Sequence, residues 1–204
     1  MPNQAKPRNK RGRPWTPGLR DHLLDHTLSV LLRVGYQKFS MSAVATSANA
    51  SKETLYRHFG DRSGLLSAAL EKQSRGVEAL LLKDIDDELD DVQRLRQLAT
   101  NYLDGCYFPE AIALQRIAYS NGEDGLGPLF AQKFTHKALE IVTAEFRGMG
   151  TPRPDLDAEV FLGMIQGMLR ERTLLGEMTP AFDLVRKAIV EHAVGIFAPY
   201  LESV

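Results

Sequence analysis

The sequence predicts an all-α chain of about nine helices, in which a small N-terminal three-helix domain precedes a larger helical one. Three features of the 204 residues point there. Apolar residues recur at steps of three and four along most of the chain, no stretch alternates in the manner of a strand, and Gly, Pro and Ser clusters cut the pattern at helix length. A chain of this size can bury about 70% of its unfolded surface, so a substantial core is available.

The elements follow in order. Residues 1–17, MPNQAKPRNKRGRPWTP, combine four prolines and five basic residues with a single large apolar side chain, Trp15. Such a segment cannot pack a core and reads as a disordered basic arm. From Gly18 a helix carries Leu19, Leu23, Leu24, Leu28, Leu31 and Leu32 on one stripe until Gly35 ends it. Residues 40–59 form two short helices, and a longer one runs from Arg62 to about Lys83 with Leu65, Leu66, Ala69 and Leu70 inward. The acidic run from Asp84 to Asp91 lacks the glycine and closing glutamate of an EF-hand; carboxylates favour a helix N-terminus, so the run opens a helix reaching about Tyr107. Pro109 starts the next at its N1 position, ending near Asn121 and Gly122. NGEDGLGP is a loop, Leu129 to Phe146 a helix, GMGTPRP a second loop, and Leu156 to about Leu175 another helix. Pro180 opens the last, which ends near Tyr200. There is no internal repeat. The expected division is an arm over 1–17, a helix-turn-helix domain over 18–62 and a helical body over 63–204.

Composition narrows the function classes. No apolar run approaches the roughly 20 residues a membrane helix needs, and the N-terminus lacks the apolar stretch of a secretory signal. Cys106 stands alone, so neither an intramolecular disulfide nor a multi-cysteine zinc site can form, and a cytoplasmic address without a membrane partner is expected. The net charge of -1 conceals an asymmetry: residues 1–62 hold 11 Lys or Arg against 4 Asp or Glu, and residues 63–204 hold 14 against 22. A basic front on an acidic body suits a first segment that meets a polyanion.

The run Ser40 to Phe59 is the most informative. Ser40 is a good N-cap, Met41, Val44 and Ala45 give a short buried face, and Asn49 can take the left-handed conformation in the turn Ala48-Asn49-Ala50. Ser51 is a second cap. Leu55 and Phe59, four residues apart, anchor the second helix inward; Lys52, Glu53, Tyr56 and Arg57 face out, flanked by Thr54 and His58. Two helices joined by so tight a turn make a helix-turn-helix, whose second helix enters the major groove by its N-terminal residues.

With GYQKFSMSAVA before it, the run SKETLYRHFGDRSGLLSAAL closely resembles the N-terminal domain of the TetR family of bacterial transcriptional regulators, over about Leu19 to Leu70. The resemblance implies an operator-binding dimer in the bacterial cytoplasm, associated with the nucleoid. It also implies base contacts from Lys52 and Glu53, phosphate contacts from Thr54, Tyr56 and His58, and either kind from Arg57. Further phosphate contacts are implied at Ser40, with Ser42 close by, and at Arg62. Glu53 departs from the frequent family glycine, as do Asn49 from the turn glycine and Ala43 from the usual acid. A groove-facing carboxylate either accepts from cytosine N4 or pairs with Lys52 or Arg57. In the arm, Arg11-Gly12-Arg13-Pro14 resembles an AT-hook core: Arg11 and Arg13 reach the minor groove, or the arm only adds non-specific affinity.

The body offers interfaces rather than chemistry. Its last helix carries Phe182, Val185, Ile189 and Ile196, and the helix before it Phe161, Ile165 and Met168, with Gly163 and Gly167 permitting close approach. The resemblance implies that these two helices pair with their symmetry mates as a four-helix bundle, making a homodimer. A pocket for a small-molecule effector is expected among the central helices: Tyr102, Cys106, Tyr119, Phe130, Phe134 and Met164 as its surface, Arg116 and His136 as polar anchors. No catalytic residue, cofactor or metal is expected. His22 and His26 have zinc spacing but stand in no H-E-x-x-H arrangement. Two other classes remain for comparison: a non-specific architectural nucleic-acid-binding protein, and a helical enzyme using Cys106 as nucleophile.

Overall fold

The computed structural model describes residues 18–122, 125–177 and 182–202, and of Phe182 the backbone alone. The arm with Arg11 and Arg13, the helix opening expected at Pro180, and the Phe182 side chain fall outside them. Among the described residues the chain is wholly helical: α1 Leu19–Lys38, α2 Met41–Ser47, α3 Lys52–Phe59, α4 Arg62–Ser74, α5 Val77–Leu81, α6 Asp91–Cys106, α7 Pro109–Tyr119, α8 Leu126–Phe130, a π-helical turn Ala131–Thr135, α9 His136–Gly148, α10 Pro154–Leu174 and α11 Phe182–Leu201. Nine of these α-helices have seven residues or more.

Two apolar clusters organise them. The first joins α1 to α4 through Leu23, Leu31, Val44, Leu55, Leu65 and Leu70, and takes in Leu114 of α7 and Leu126 of α8. Each such leucine, wholly removed from water, contributes roughly 1.5–3 kcal/mol. The boundary expected at residue 62 therefore falls ahead of α4, a helix whose inner face belongs to the first core. The second cluster holds α6, α9, α10 and α11 together around Phe146, Phe161 and Phe197, whose ring centroids lie 5.5–5.8 Å apart. Aromatic pairs at this spacing contribute about 0.5–1.5 kcal/mol each beyond their buried area.

Several boundaries differ from expectation, each for a local reason. The helix expected over 62–83 stops at Ser74 and resumes as the short α5 after Gly76. Of the acidic run only its end opens a helix: Asp90 caps α6 in a reciprocal box with Gln93, and the residues before it form turns. The helix expected from Leu129 begins at Leu126, because that leucine is buried in the first core, and it passes through a π-helical turn before α9. Gly35, at φ 75°, breaks α1 where its stop was expected, and Gly167, at φ 24°, breaks α10. No described helix is long and apolar enough to cross a membrane.

Candidate nucleic-acid interface and cavity

The helix-turn-helix is built from local chemistry. The Ser40 side chain accepts from the Ala43 amide and caps α2; Ser51 accepts from the Thr54 amide at 3.0 Å and caps α3. Between them Asn49 takes φ 48°, the left-handed turn expected of it. Leu55 is wholly buried, which fixes α3 by its inner face. The outer face leaves Lys52, Glu53 and Arg57 exposed, with Tyr56 50% exposed and Thr54 and His58 half-buried. Ser42 is exposed on α2 and Ser40 half-buried at its start. Among the described residues no ion pair joins Glu53 to Lys52 or Arg57, so of the two readings of that carboxylate the intramolecular one does not form.

Arg62 departs from expectation. Its guanidinium donates to the Tyr36 carbonyl at 2.5 Å and lies 4.0 Å from the centre of the Tyr36 ring, with Phe39 also in reach. The side chain is thereby held at the junction after α1. Asp61 caps α4 next to it, accepting from the Gly64 amide at 2.8 Å. Gly64 itself is required: a Cβ there would lie 2.1 Å from the Phe59 carbonyl oxygen. Behind the recognition unit His22 donates to the Ala48 carbonyl at 3.2 Å and His26 shares a hydrogen bond with Ser47 at 2.9 Å, their rings 4.5 Å apart. The two histidines thus tie α1 to the end of α2. Sequence spacing alone suggested only a metal pair.

In the body a cavity of about 240 Å³ opens between α1, α4 to α7 and the π-helical turn. Of the residues expected around a pocket, Tyr102, Cys106, Phe130 and Phe134 line it. Four others do not. Arg116 donates to the Leu174 and Thr173 carbonyls at 3.0 and 2.7 Å, finishing the C-terminus of α10. Tyr119 lies outside the cavity, and its hydroxyl accepts from Arg170; His136 is exposed at the start of α9; Met164 packs on the second core. Leu28 and Leu32 of α1, Glu110 and Arg170 line the cavity without having been expected there. The leucine signal was present, since both stand on the α1 stripe. Arg170, in the run Arg-Glu-Arg, reads from sequence as a solvated face. Burial pushes the Cys106 thiol up from its ordinary value, the opposite of what a nucleophile needs.

Two residues expected at a dimer interface face inward instead: Phe161 and Ile165 are wholly buried in the second core. Val185 and Ile189 are half-buried against the same core. Met168 is 65% exposed and Ile196 52%, and Leu184, which periodicity did not single out, is 74% exposed.

Comparison with known proteins agrees with this geometry. Residues 23–69 match the family model described as bacterial regulatory proteins of the tetR family. The chain is 49% identical over 49 residues to the DNA-binding transcriptional repressor TetR of Mycobacteroides abscessus, covering 24% of this chain and 26% of that protein, so the similarity spans about a quarter of the relative's length. It is 21% identical over 181 residues to the HTH-type regulator YvkB of Bacillus subtilis, covering 86% and 93% of the two chains. A crystal structure of a TetR transcriptional regulator from Agrobacterium tumefaciens superposes with a TM-score of 0.71 at 26% identity, over 91% of this chain and 95% of that one.

Proposed function

We propose that this chain, whose residues 23–69 match the bacterial regulatory proteins of the tetR family, acts as a homodimeric repressor that occupies a two-fold symmetric operator and leaves it when a small-molecule effector binds the body. The observation that carries the reading is the outer face of α3. A helix fixed inward by Leu55 and capped by Ser51 presents Lys52, Glu53, Tyr56 and Arg57 to solvent together, with no internal ion pair using up the first two. In this reading α1 to α4 are the DNA-binding unit, and the rest of the chain senses and dimerises. Lys52 and Glu53 read base edges, Glu53 accepting from cytosine N4, while Thr54, Tyr56, His58 and the Ser40–Ser42 start of α2 hold phosphates. Arg57 supplies a further cationic contact, and Arg11 and Arg13 of the arm reach an adjacent minor groove.

Dimerisation is supported by the outward apolar positions of α10 and α11. Met168, Leu184 and Ile196 stand in water in the single chain, and a two-fold contact through these helices buries them. The dimer sets two copies of α3 into successive major grooves about 34 Å apart, and an effector that alters that separation releases the operator. Repression is supported by the similarity to the Mycobacteroides relative, a DNA-binding transcriptional repressor.

The test is selection of bound fragments from the source organism's DNA, followed by affinity for the enriched site against scrambled DNA. A two-fold symmetric site bound more tightly by ~4–10 kcal/mol is expected. Equal affinity for scrambled DNA establishes an architectural protein instead.

A further inference from the structure

We propose that the body cavity takes a small, largely apolar monocarboxylate, an aryl or short alkyl acid, whose carboxylate pairs with Arg170. The regulatory meaning of this site rests on the effector reading above, but the binding itself does not.

Most of the cavity wall is hydrocarbon. Leu28 and Leu32 close it on the α1 side, Leu80 and Leu114 lie across, and Phe130 and Phe134 stack on each other at a centroid distance of 4.8 Å. At about 240 Å³ the space falls just short of the ~300–1,000 Å³ that drug-sized ligands occupy, so its occupant is small.

Arg170 breaks this uniformity. It is half-buried, three residues past the break at Gly167, and its guanidinium donates to the Tyr119 hydroxyl at 2.9 Å and the Tyr102 hydroxyl at 3.3 Å. Gln166 also donates to the Tyr102 oxygen, so that phenol is held by two donors. None of these partners carries a negative charge at neutral pH. Burial pushes the Tyr102 phenol well above its ordinary value and raises the Cys106 thiol and Tyr107 phenol as well. Among the described residues no carboxylate lies within 4.0 Å of Arg170. A guanidinium withdrawn from water with only neutral partners is an arrangement that an incoming anion stabilises, and the planar fork of its N–H donors matches a carboxylate.

Glu110 sets the limit on charge. It is the one carboxylate on the described wall, exposed in the first turn of α7, and it opposes a second negative group on the ligand. One acidic group on an apolar frame suits a wall that carries one guanidinium and one carboxylate.

The test uses the full-length protein and calorimetric titration with trans-cinnamate and octanoate against their neutral primary amides. Both acids are expected to bind about tenfold or more tightly than the amides. Arg170→Gln should abolish that preference while leaving amide affinity within about twofold, and Arg170→Lys, which keeps the charge, should retain part of it. The proposal is overturned if the amides bind the wild type as tightly as the acids, if the preference survives Arg170→Gln, or if no acid binds. Should Arg170→Gln fail to fold, the wild-type comparison and Arg170→Lys decide. In parallel the acids are added to the protein on its enriched operator. Arg170-dependent binding without DNA release confirms the carboxylate site and refutes the effector reading instead.

Discussion

At the level of single residues, the proposed interface divides side chains assigned to DNA from side chains that hold the domain in shape, and substitutions distinguish the two. Lys52→Ala is expected to weaken operator affinity and blur the preference at one base-pair position, by about 1–3 kcal/mol, whereas Tyr56→Ala weakens binding to all sequences alike; a panel of single-base operator variants reads both. Arg62→Ala belongs to the other class. It loses the hydrogen bond to the Tyr36 carbonyl and the stacking on the Tyr36 ring, so the helix-turn-helix loses stability while the dependence of log affinity on log salt keeps its slope. A slope reduced by about one phosphate equivalent would instead place Arg62 on the backbone of the DNA. Gly64→Ala tests the packing of α3 on α4: with the new Cβ 2.1 Å from the Phe59 carbonyl, urea unfolding should register a loss of about 1–3 kcal/mol.

Among the elements, α4 is tied on both sides. Its Lys72 pairs with Asp25 of α1 at 2.6 Å, and its Glu71 pairs with Lys133 of the π-helical turn at 2.5 Å. The hydrogen bond and charge of Lys133 hold the Glu71 carboxyl below its ordinary value. A carboxyl with a lowered folded-state pKa adds stability above its unfolded value of about 4.5 and loses it as pH falls through the folded value. The melting-temperature gap between wild type and Glu71→Gln should therefore be full at neutral pH, begin to narrow below about pH 5 and vanish in stronger acid. Thermal melts across that range check it. The same elements mark how far sequence reasoning reaches. Caps and turns are local, so Ser40, Asn49, Ser51 and Pro109 disclosed their elements without tertiary information. A helical stripe shows that a face is apolar but not which neighbour covers it, which is why Phe161 and Ile165 read as interface and lie in the core. The breaks at Gly76 and Gly167 and the π-helical turn leave no mark in the spacing of apolar residues, and Arg170 follows the second of these breaks by three residues. No stripe announces such a position.

For the whole molecule, the exposed apolar positions of α10 and α11 predict assembly. Leu184→Glu combined with Ile196→Glu should convert a dimer to a monomer in sedimentation velocity, leave the helical circular dichroism intact, and cost more operator affinity than any single contact on α3, because two linked half-sites become one. An unchanged sedimentation coefficient would move the interface elsewhere. The placement of Leu28 and Leu32 has a consequence at the same scale. The helix that braces the recognition unit is also a wall of the cavity, so both sites draw on one element, and thermodynamic linkage requires the effect to run in both directions. Under the proposed effector reading, whatever factor an occupant of the cavity takes from the affinity for operator, saturating operator must take from the affinity for that occupant; the DNA would then itself inhibit sensing, and the unbound pool of protein would be the part that listens.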